Sequence, residues 1–366
     1  MPSIYDYFRI MINRLLSLNQ RVSAFAGLGR VLAVVTGQDD SVVDQRHCAI
    51  IREAIEQSAL HNGWFTMQMV SRALSALVPM LDASLLLAWA SGYLQEDQVI
   101  QERVLVVSAG NIPAVGFHDW LCVLMSGHSY LGKVSSDDRF LIPAMARVVE
   151  ELEPGFIGSS VFTDQIVSDF DKVIATGSGN TSRYFEYYFS RWPHLIRSNR
   201  TGIAVLRGGE DEPELNALAD DITLYYGLGC RNVSACFIPE NYDPSVLCEG
   251  LARRSAELIQ CNKWVNNYDY QKALMLINNQ PFYDTGALLL RYHTEWVTPV
   301  AVINLIRYST PDSLRQEFIS KASAIQCVVS AGGWYEKSIP FGTSQQPGLD
   351  DYADGVDTML FLLAKK

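Results

Sequence analysis

Short apolar runs alternate with helical segments between residues 103 and 190, and this alternation constrains the fold more than any other feature of the chain. The run Val104-Leu105-Val106-Val107 is rich in β-branched residues, as in strands that are buried on both faces of a parallel sheet. Strands and helices in alternation are typical of right-handed β-α-β crossovers, so we expect an α/β fold with a parallel sheet. Further strands are predicted at 129–134, 160–162 and 172–175, and helices at 117–125, 138–152 and 181–190.

A second alternating pattern begins near residue 200, without a Pro/Gly/Ser-rich linker before it. Apolar residues at three- and four-residue steps from 42 to about 95 also predict helices ahead of the first sheet. The chain therefore predicts two α/β domains and a helical N-terminal region. In the second domain, strands are predicted at 203–206, 235–238, 287–290, 300–306 and 324–329, and helices at 212–225 and 311–319.

The size and composition fit two globular domains and argue against several functional classes. The 366 residues are 48% hydrophobic and 19% charged, which suffices for two cores. The net charge of -11 argues against nucleic-acid binding, because a phosphate backbone needs a basic surface. The N-terminus lacks the layout of a secretion signal, and apolar runs such as 84–90 are shorter than the roughly 20 residues of a membrane span. We therefore expect a cytoplasmic protein without a membrane span.

The cysteines favour thiol chemistry over metal binding. All seven are irregularly spaced, their number is odd, and no CxxC pair is present, so we expect reduced thiols and no metal site. Cys230 follows Gly227-Leu228-Gly229 and precedes the strand predicted at 235–238. A thiol on such a loop can act as a nucleophile, although most cysteines are buried and inert.

Four further segments fall in a fixed order around Cys230. They are Asn111-Ile112-Pro113, Lys133-Val134-Ser135, Thr176-Gly177-Ser178 and Glu295-Trp296-Val297-Thr298-Pro299-Val300. Together with the segment of Cys230, they resemble the W-N-F-P, G-N-x-V-x-x-K-P-S-E, T-G-S, G-Q-x-C and E-I-F-G-P-V segments of the aldehyde dehydrogenase superfamily. Within that superfamily, the closing segment from Pro340-Phe341-Gly342 to Thr358 is similar to that of the LuxC-type acyl-CoA reductases, also called fatty acid reductases. The resemblance covers the chain from about residue 100 to its end.

The resemblance implies an aldehyde-dehydrogenase-like α/β fold with a Rossmann-type nucleotide-binding domain and an α/β catalytic domain. Residues 1–200 would form the nucleotide-binding domain with its helical N-terminal region. Residues 201–340 would form the catalytic domain that carries the cysteine. Residues 341–366 would be a C-terminal tail that returns to the first domain.

The resemblance also implies two catalytic residues. Cys230 would be the nucleophile that attacks a thioester. The amide of Asn111, together with a backbone N–H, would stabilise the negative charge that develops on the carbonyl oxygen. Without the resemblance, Asn111 is an ordinary turn asparagine before a proline.

Six residues are implied to bind a nicotinamide coenzyme. Lys133 and Ser135 close the second predicted strand, where a cation can hold ribose hydroxyls or a 2'-phosphate. Thr176, Gly177 and Ser178 precede a predicted helix whose first N–H groups can hold a pyrophosphate. Glu295 would contact the ribose on the nicotinamide side, although Thr298 replaces the glycine of the family segment.

One residue of the superfamily is missing from this sequence, and its absence distinguishes an enzyme that reduces its acyl intermediate from one that oxidises aldehydes. The glutamate of its E-L-G-G-K segment, which activates water against the acyl enzyme, aligns with residues 196–200, where no carboxylate stands. An enzyme that reduces the acyl intermediate needs no such base. The aspartates of the tail do not have the spacing of a calcium loop, and a solvated face is expected there.

The resemblance implies an NADPH-dependent acyl-CoA reductase, with NADH as the alternative donor. Its substrate would be a long-chain acyl-CoA or acyl-protein thioester, exchanged with acyl-transfer or acyl-activating partner proteins. The oligomeric state stays open, with a homo-oligomer as one outcome. Two alternatives remain: an acyl-phosphate reductase, with Arg200 and Arg231 for the phosphate, and a non-catalytic scaffold that binds an acylated partner.

Overall fold

The computed structural model describes residues 16–94, 100–165, 168–177 and 179–364. Contacts divide the chain into two units. The first contains the described residues of Met1–Asn62, Val70–Ser198 and Gly348–Lys366, and the second contains Gly63–Met69 and Asn199–Pro347. The chain therefore enters the second unit twice and returns to the first unit for its last segment.

Helices and strands alternate through most of the described chain. The helices are α1 (Leu18–Val35), α2 (Gln45–His61), α3 (Met67–Leu77), α4 (Ala83–Ser91), α5 (Phe117–Met125), α6 (Leu141–Leu152), α7 (Gly179–Phe189), α8 (Glu212–Thr223), α9 (Pro244–Ala252), α10 (Ser255–Leu258), α11 (Asn262–Ile277), α12 (Pro311–Ser320) and α13 (Thr358–Leu363). The strands are β1 (Arg103–Val107), β2 (Ser129–Lys133), β3 (Ser160–Thr163), β4 (Lys172–Thr176), β5 (His194–Arg197), β6 (Thr201–Val205), β7 (Val233–Pro239), β8 (Tyr283–Asp284), β9 (Leu289–Tyr292), β10 (Val302–Tyr308), β11 (Ile325–Ser330) and β12 (Ile339–Pro340).

The first unit contains a parallel five-stranded sheet in the order β3-β2-β1-β4-β5. Val107 at the end of β1 lies beside Lys133 of β2 and Ala175 of β4. The chain moves outward from β1 to β3 and then crosses to β4, so the direction of winding changes between β1 and β4. Open parallel sheets bind ligands at the carboxyl ends of their strands at such a switch point.

The second unit contains a seven-stranded sheet in the order β12-β11-β6-β7-β10-β9-β8. Its pairs are parallel except for β8 with β9. One side packs a cluster that includes Phe237, Trp296 and Phe318, whose rings meet edge to face. Burying each of these large side chains contributes about 2 kcal/mol or more to folding.

The C-terminal segment is bound within the first unit by a chain of buried and half-buried polar groups. The Trp89 indole donates to the Tyr352 hydroxyl at 2.9 Å, and Tyr352 donates to Tyr93 at the same distance. Tyr93 in turn donates to Asp357 at 2.8 Å. Since a buried polar group without a partner is destabilising, this chain fixes the path of the segment.

The end of α13 is held by a buried lysine at the amino end of β4. The Lys172 ammonium is 2% exposed and lies 2.7 Å from the Glu102 carboxylate. It also donates to the backbone oxygens of Leu362 and, at 2.9 Å, Ala364. Lysine has three N–H donors, so the ammonium has a partner for each.

The structure confirms the alternation that the sequence predicts, and the helix predicted at 117–125 is α5 with the same bounds. The helix predicted at 212–225 is wrong at its end, because α8 stops at Thr223. The next residues include Tyr225 and Tyr226, whose φ angles of 51° and 55° a right-handed helix does not allow. The sequence did not predict β5, which contains polar residues, or α11.

Among the described residues, no single helix is long and apolar enough to cross a bilayer. One bent pair, Met67–Leu81 followed by Ala83–Ser91 at 62°, meets the criteria of length and composition together.

Candidate active site

The loops that follow β1 and β2 approach each other closely at the carboxyl edge of the first sheet. A Cβ atom on Gly110 would lie 2.2 Å from the Ser135 hydroxyl oxygen, so only glycine fits at this position. Gly110 precedes Asn111, which is exposed, and Ser135 follows Lys133, which is half-buried. The structure therefore brings the segments of Asn111, Lys133 and Ser135 together.

A buried carboxylate joins the same two loops. Asp138, on the β2 loop, is 5% exposed and accepts hydrogen bonds from the backbone N–H groups of Ala114 and Val115. Ala114 has a φ of 56°, a left-handed conformation that costs a non-glycine residue about 1 kcal/mol or more. Burial raises the pKa of Asp138 to about 7. Asp138 thus stabilises the strained turn three residues after Asn111.

Replacing Asp138 by asparagine is expected to change how stability depends on pH. The pKa of an aspartate in an unfolded chain is about 4, so the folded protein, with a pKa of about 7, binds this proton more tightly. The tighter proton binding of Asp138 stabilises the fold fully below pH 4, and this stabilisation is lost as the pH rises to about 7. Between these values, the free energy of unfolding changes by about 1.4 kcal/mol per pH unit. Denaturant unfolding from pH 4 to 8 should show a smaller slope for Asp138→Asn.

Asp137→Asn is the matched control, because Asp137 is the neighbouring carboxylate and is exposed. It should retain the wild-type dependence on pH. An Asp138→Asn variant with the same slope as the wild type would contradict the assignment.

The turn between β4 and α7 reaches the same edge of the sheet. Thr176 ends β4, and the Gly177 N–H donates to the Arg197 carbonyl at 3.1 Å. A Cβ on Gly177 would lie 2.9 Å from the Thr181 side chain, so the turn is tight. The predicted residue Ser178 lies outside the described residues. Thr176 and Gly177 therefore lie at the switch point, at the start of an 11-residue helix.

In the second unit, Cys230 lies on a turn that leads into β7. It is the only exposed residue among the seven cysteines, all of which lie in the described ranges. Burial raises the pKa of Cys122, Cys236 and Cys248, which makes those thiols poorer nucleophiles. Cys230 is thus the cysteine that a reagent or substrate can reach most readily.

The backbone that leads to Cys230 has an unusual path. Tyr225, Tyr226 and Gly227 are consecutive left-handed residues, and together they reverse the chain at the end of α8. The Tyr225 N–H donates to the Met69 sulfur at 3.4 Å, and the Tyr226 hydroxyl lies 3.4 Å from that of Thr66. The segment Gly63–Met69 therefore supports the loop of the cysteine. Sequence reasoning assigned no function to this segment.

Glu295 lies on the loop before β10, the strand adjacent to β7. Its side chain is exposed, and its backbone carbonyl accepts a hydrogen bond from the buried Asn304 amide at 2.8 Å. The Ser234 hydroxyl donates to the carbonyl of Trp296, the residue after Glu295. Since both loops precede neighbouring parallel strands, Cys230 and Glu295 share one edge of the second sheet.

The segment 196–200 contains no carboxylate of its own, but the C-terminal segment brings one to it. The Asp354 carboxylate accepts the Ser198 N–H at 3.3 Å. The Arg197 guanidinium is buried and bound to Asp119 at 2.6 Å and to the Thr358 hydroxyl at 2.8 Å. Arg197 is therefore part of the structural core.

Two of the four tail aspartates, Asp354 and Asp357, are half-buried, whereas a solvated face was expected for all four. Asp357 accepts the Leu360 N–H at 2.9 Å as the N-cap of α13, in addition to the hydroxyl of Tyr93. Asp350 and Asp351 are exposed. Within the described ranges, no group of three or more His, Cys, Asp or Glu residues is arranged to hold a metal ion.

Solved structures share this architecture at low sequence identity. The NAD+ complex of an aldehyde dehydrogenase from Bacillus cereus superimposes with a TM-score of 0.61 and 13% identity over 86% of this chain and 72% of that one. The aldehyde dehydrogenase KauB from Pseudomonas aeruginosa has a TM-score of 0.62 and 12% identity over 89% and 74% of the two chains. The chain has the aldehyde dehydrogenase fold.

A further solved structure with the aldehyde dehydrogenase fold is the indole-3-acetaldehyde dehydrogenase AldA of P. syringae, in complex with NAD+ and IAA. It has a TM-score of 0.61 and 11% identity over 91% of this chain and 76% of that chain. No protein-family model matches the sequence, and a search of curated proteins found no match. The predicted fold class is thus confirmed.

The carboxyl edge of the first sheet has groups that suit a dinucleotide. The carboxyl edge offers a half-buried cation in Lys133, a close backbone approach at Gly110, and a tight turn at Gly177 that opens a helix. Phosphates bind at helix N-termini, and a cation beside the adjacent strand can hold a ribose or its phosphate. These residues fit the phosphates and a ribose of a dinucleotide.

Proposed function

We propose that this protein is an NADPH-dependent acyl-CoA reductase that acts through an acylated Cys230. The observation that carries the proposal is the exposure of this one thiol on a turn between α8 and β7, while the other cysteines are buried or half-buried. An exposed thiol can attack a thioester, whereas a buried one cannot reach it. The ordered motifs around Cys230 supply the other parts of the reaction.

In the proposed first step, the Cys230 thiolate attacks the carbonyl carbon of the acyl thioester. The new C–S bond forms, the bond to the coenzyme A sulfur breaks, and coenzyme A leaves as its thiolate. The Asn111 amide stabilises the oxyanion, a role that is typically worth about 10²-fold to 10³-fold in rate. Asn111 suits this role because its side chain is exposed at the edge of the first sheet.

Lys133, Ser135, Thr176 and Gly177 would hold the coenzyme at the first sheet, and Glu295 would contact its nicotinamide ribose. When bound, the reduced nicotinamide supplies a hydride to the acyl carbon, and the aldehyde then leaves Cys230 as its thiolate re-forms. The cation of Lys133 favours NADPH, because a 2'-phosphate adds negative charge beside it. NADH is the alternative donor, and two of the solved structures described above contain NAD+.

The segment 196–200 favours reduction over oxidation. Arg197 is engaged by Asp119 and Thr358, and Ile196 has no acid–base chemistry. The Asp354 carboxylate that reaches this segment accepts the Ser198 N–H. Since the segment itself contains no carboxylate, we expect the acyl enzyme to resist water and to await the hydride donor.

The substrate and partners are part of the same proposal. A long-chain acyl group, delivered by coenzyme A or by an acyl-carrying protein, follows from the resemblance to LuxC-type reductases. Exchange with acyl-transfer or acyl-activating proteins follows from the same resemblance. The irregular cysteine spacing, which predicts reduced thiols, supports a cytoplasmic location. A homo-oligomer is compatible with the proposed function.

Radiolabelled acyl-CoA tests the proposed function directly. We expect a protein adduct that hydroxylamine releases, stable in buffer, with aldehyde forming only after NADPH is added. Rapid release of free fatty acid would instead indicate a hydrolase or an aldehyde oxidiser. No adduct from acyl-CoA or from an acyl phosphate would indicate a non-catalytic scaffold.

Replacing Lys133 by alanine is expected to weaken NADPH binding about tenfold or more, because a charge-assisted hydrogen bond contributes about 1.5 kcal/mol or more. NADH lacks the 2'-phosphate and should lose less affinity. Quenching of protein fluorescence by each coenzyme measures both dissociation constants. Lys337→Ala, at an exposed lysine of the second unit, is the control. Equal losses for the two coenzymes would contradict the preference for NADPH.

A further inference from the structure

We infer that Asn232 is a positioning residue that holds Cys230 in its reactive place. The inference rests on the proposed function and adds to it the group that fixes the nucleophile. Asn232 is 2% exposed and lies two residues after the cysteine. Both the nitrogen and the oxygen of its side-chain amide form hydrogen bonds with the backbone. These bonds constrain the backbone on both sides of Cys230.

The Asn232 side chain joins the end of α8 to the turn of the cysteine. Its amide nitrogen donates to the carbonyls of Asp221 at 3.0 Å and Leu224 at 2.9 Å, with a longer contact of 3.4 Å to Ile222. Its oxygen accepts the Gly229 N–H at 2.8 Å. One side chain thus satisfies carbonyls that the helix end leaves open and an N–H of the residue before Cys230.

The backbone of Asn232 completes the turn. Its N–H donates to the Gly229 carbonyl at 3.1 Å, so Gly229 to Asn232 form a four-residue turn with Cys230 as its second residue. Gly229 is therefore bound to Asn232 through both its N–H and its carbonyl. The position of the thiol follows from this double attachment, since Cys230 lies between the two bonded residues.

Asn232 also stabilises the left-handed reversal at Tyr225 and Tyr226. Two non-glycine residues in this conformation are unfavourable, and the turn persists only if its surroundings hold it. Asn232 holds the carbonyl of Leu224, immediately before the reversal. Without that amide, the carbonyls at the helix end would lose their donor and the reversal could relax, moving Cys230 with it.

Alkylation of Cys230 by iodoacetamide tests the inference without any acyl substrate. Asn232→Ala and Asn232→Leu should both slow the alkylation about tenfold, because neither side chain can donate to the helix carbonyls. Leucine has nearly the shape of asparagine and adds no buried charge, so it supplies the readout if the alanine variant does not fold. Mass spectrometry assigns the label to Cys230.

Asn304→Ala is the matched control. Asn304 is also fully buried in the second unit, and its amide holds the carbonyl of Glu295 instead of the cysteine turn. It should lose similar hydrogen bonds yet leave the alkylation of Cys230 at the wild-type rate. Its coenzyme affinity is measured in parallel.

Two results would overturn the inference: Asn232 variants that alkylate at the wild-type rate, or an Asn304→Ala variant that slows as much as they do. The second result would indicate general loosening of the unit. If the proposed function is correct, kcat for aldehyde formation should fall about 10²-fold in the Asn232 variants, while the coenzyme dissociation constant stays unchanged. Failure of acyl-CoA reduction in the wild type would refute the function and leave the alkylation result intact.

Discussion

Cys230→Ser is expected to lower aldehyde formation from acyl-CoA by about 10³-fold or more and to abolish the hydroxylamine-labile adduct. A serine hydroxyl is far less nucleophilic at neutral pH than a thiolate. The measurement is steady-state aldehyde production with NADPH, together with counting of protein-bound acyl label. Binding of NADPH should persist, since the residues assigned to it belong to other segments.

Cys248→Ser is the matched control, because Cys248 is a half-buried thiol in the same unit. It should retain both the adduct and the activity. Adduct formation on the Cys230→Ser protein would show that another residue accepts the acyl group, and the proposed mechanism would then be wrong.

Asn111→Ala should lower kcat about 10²-fold or more, because a donor that stabilises the oxyanion acts mainly in the transition state. The dissociation constant of NADPH should change little, as Asn111 makes no assigned contact with the coenzyme. The separation of kcat from coenzyme binding distinguishes this role from a purely structural one. Single-turnover acylation of Cys230 by acyl-CoA measures the affected step directly.

Asn266→Ala serves as the control for Asn111→Ala, because Asn266 is an exposed asparagine on α11. Its activity should equal that of the wild type. If Asn111→Ala acylates Cys230 at the wild-type rate, the amide has no part in stabilising the oxyanion.

The alternation of strands and helices was predictable because hydrophobic periodicity reflects burial directly. Val104 to Val107 are buried as β1, and the helix at 117–125 has an apolar pattern that matches its surroundings. By contrast, β5 begins at His194 and ends at the buried Arg197, whose charge is compensated by Asp119. A strand that buries an arginine depends on a partner 78 residues away, which periodicity cannot detect.

In the candidate site too, features that local sequence patterns reveal differ from features that depend on contacts with distant residues. Strand ends and a glycine turn can be located from the sequence, and the structure places Lys133 at the end of β2 and Gly177 directly after β4. Their assignment to a coenzyme site comes from the resemblance alone. Asp138 and Asn232 were missed, because their importance lies in contacts with Ala114 and with the end of α8. The weak signal for Asn232 was its type, since asparagine before a strand is typical of turns. The end of α8 was missed for a related reason, as its reversal depends on support from residues 63–69.

The buried ammonium of Lys172 couples the end of α13 to β4 of the first sheet in free energy. Opening α13 alone would strip the charge of two acceptors and leave it with Glu102 in a medium of low dielectric constant. Such a partially opened state is strongly disfavoured, so α13 and β4 should exchange their amide hydrogens as one cooperative unit. The end of α13 is accordingly part of the core of the first unit, although Leu362 lies 190 residues after Lys172 in the sequence.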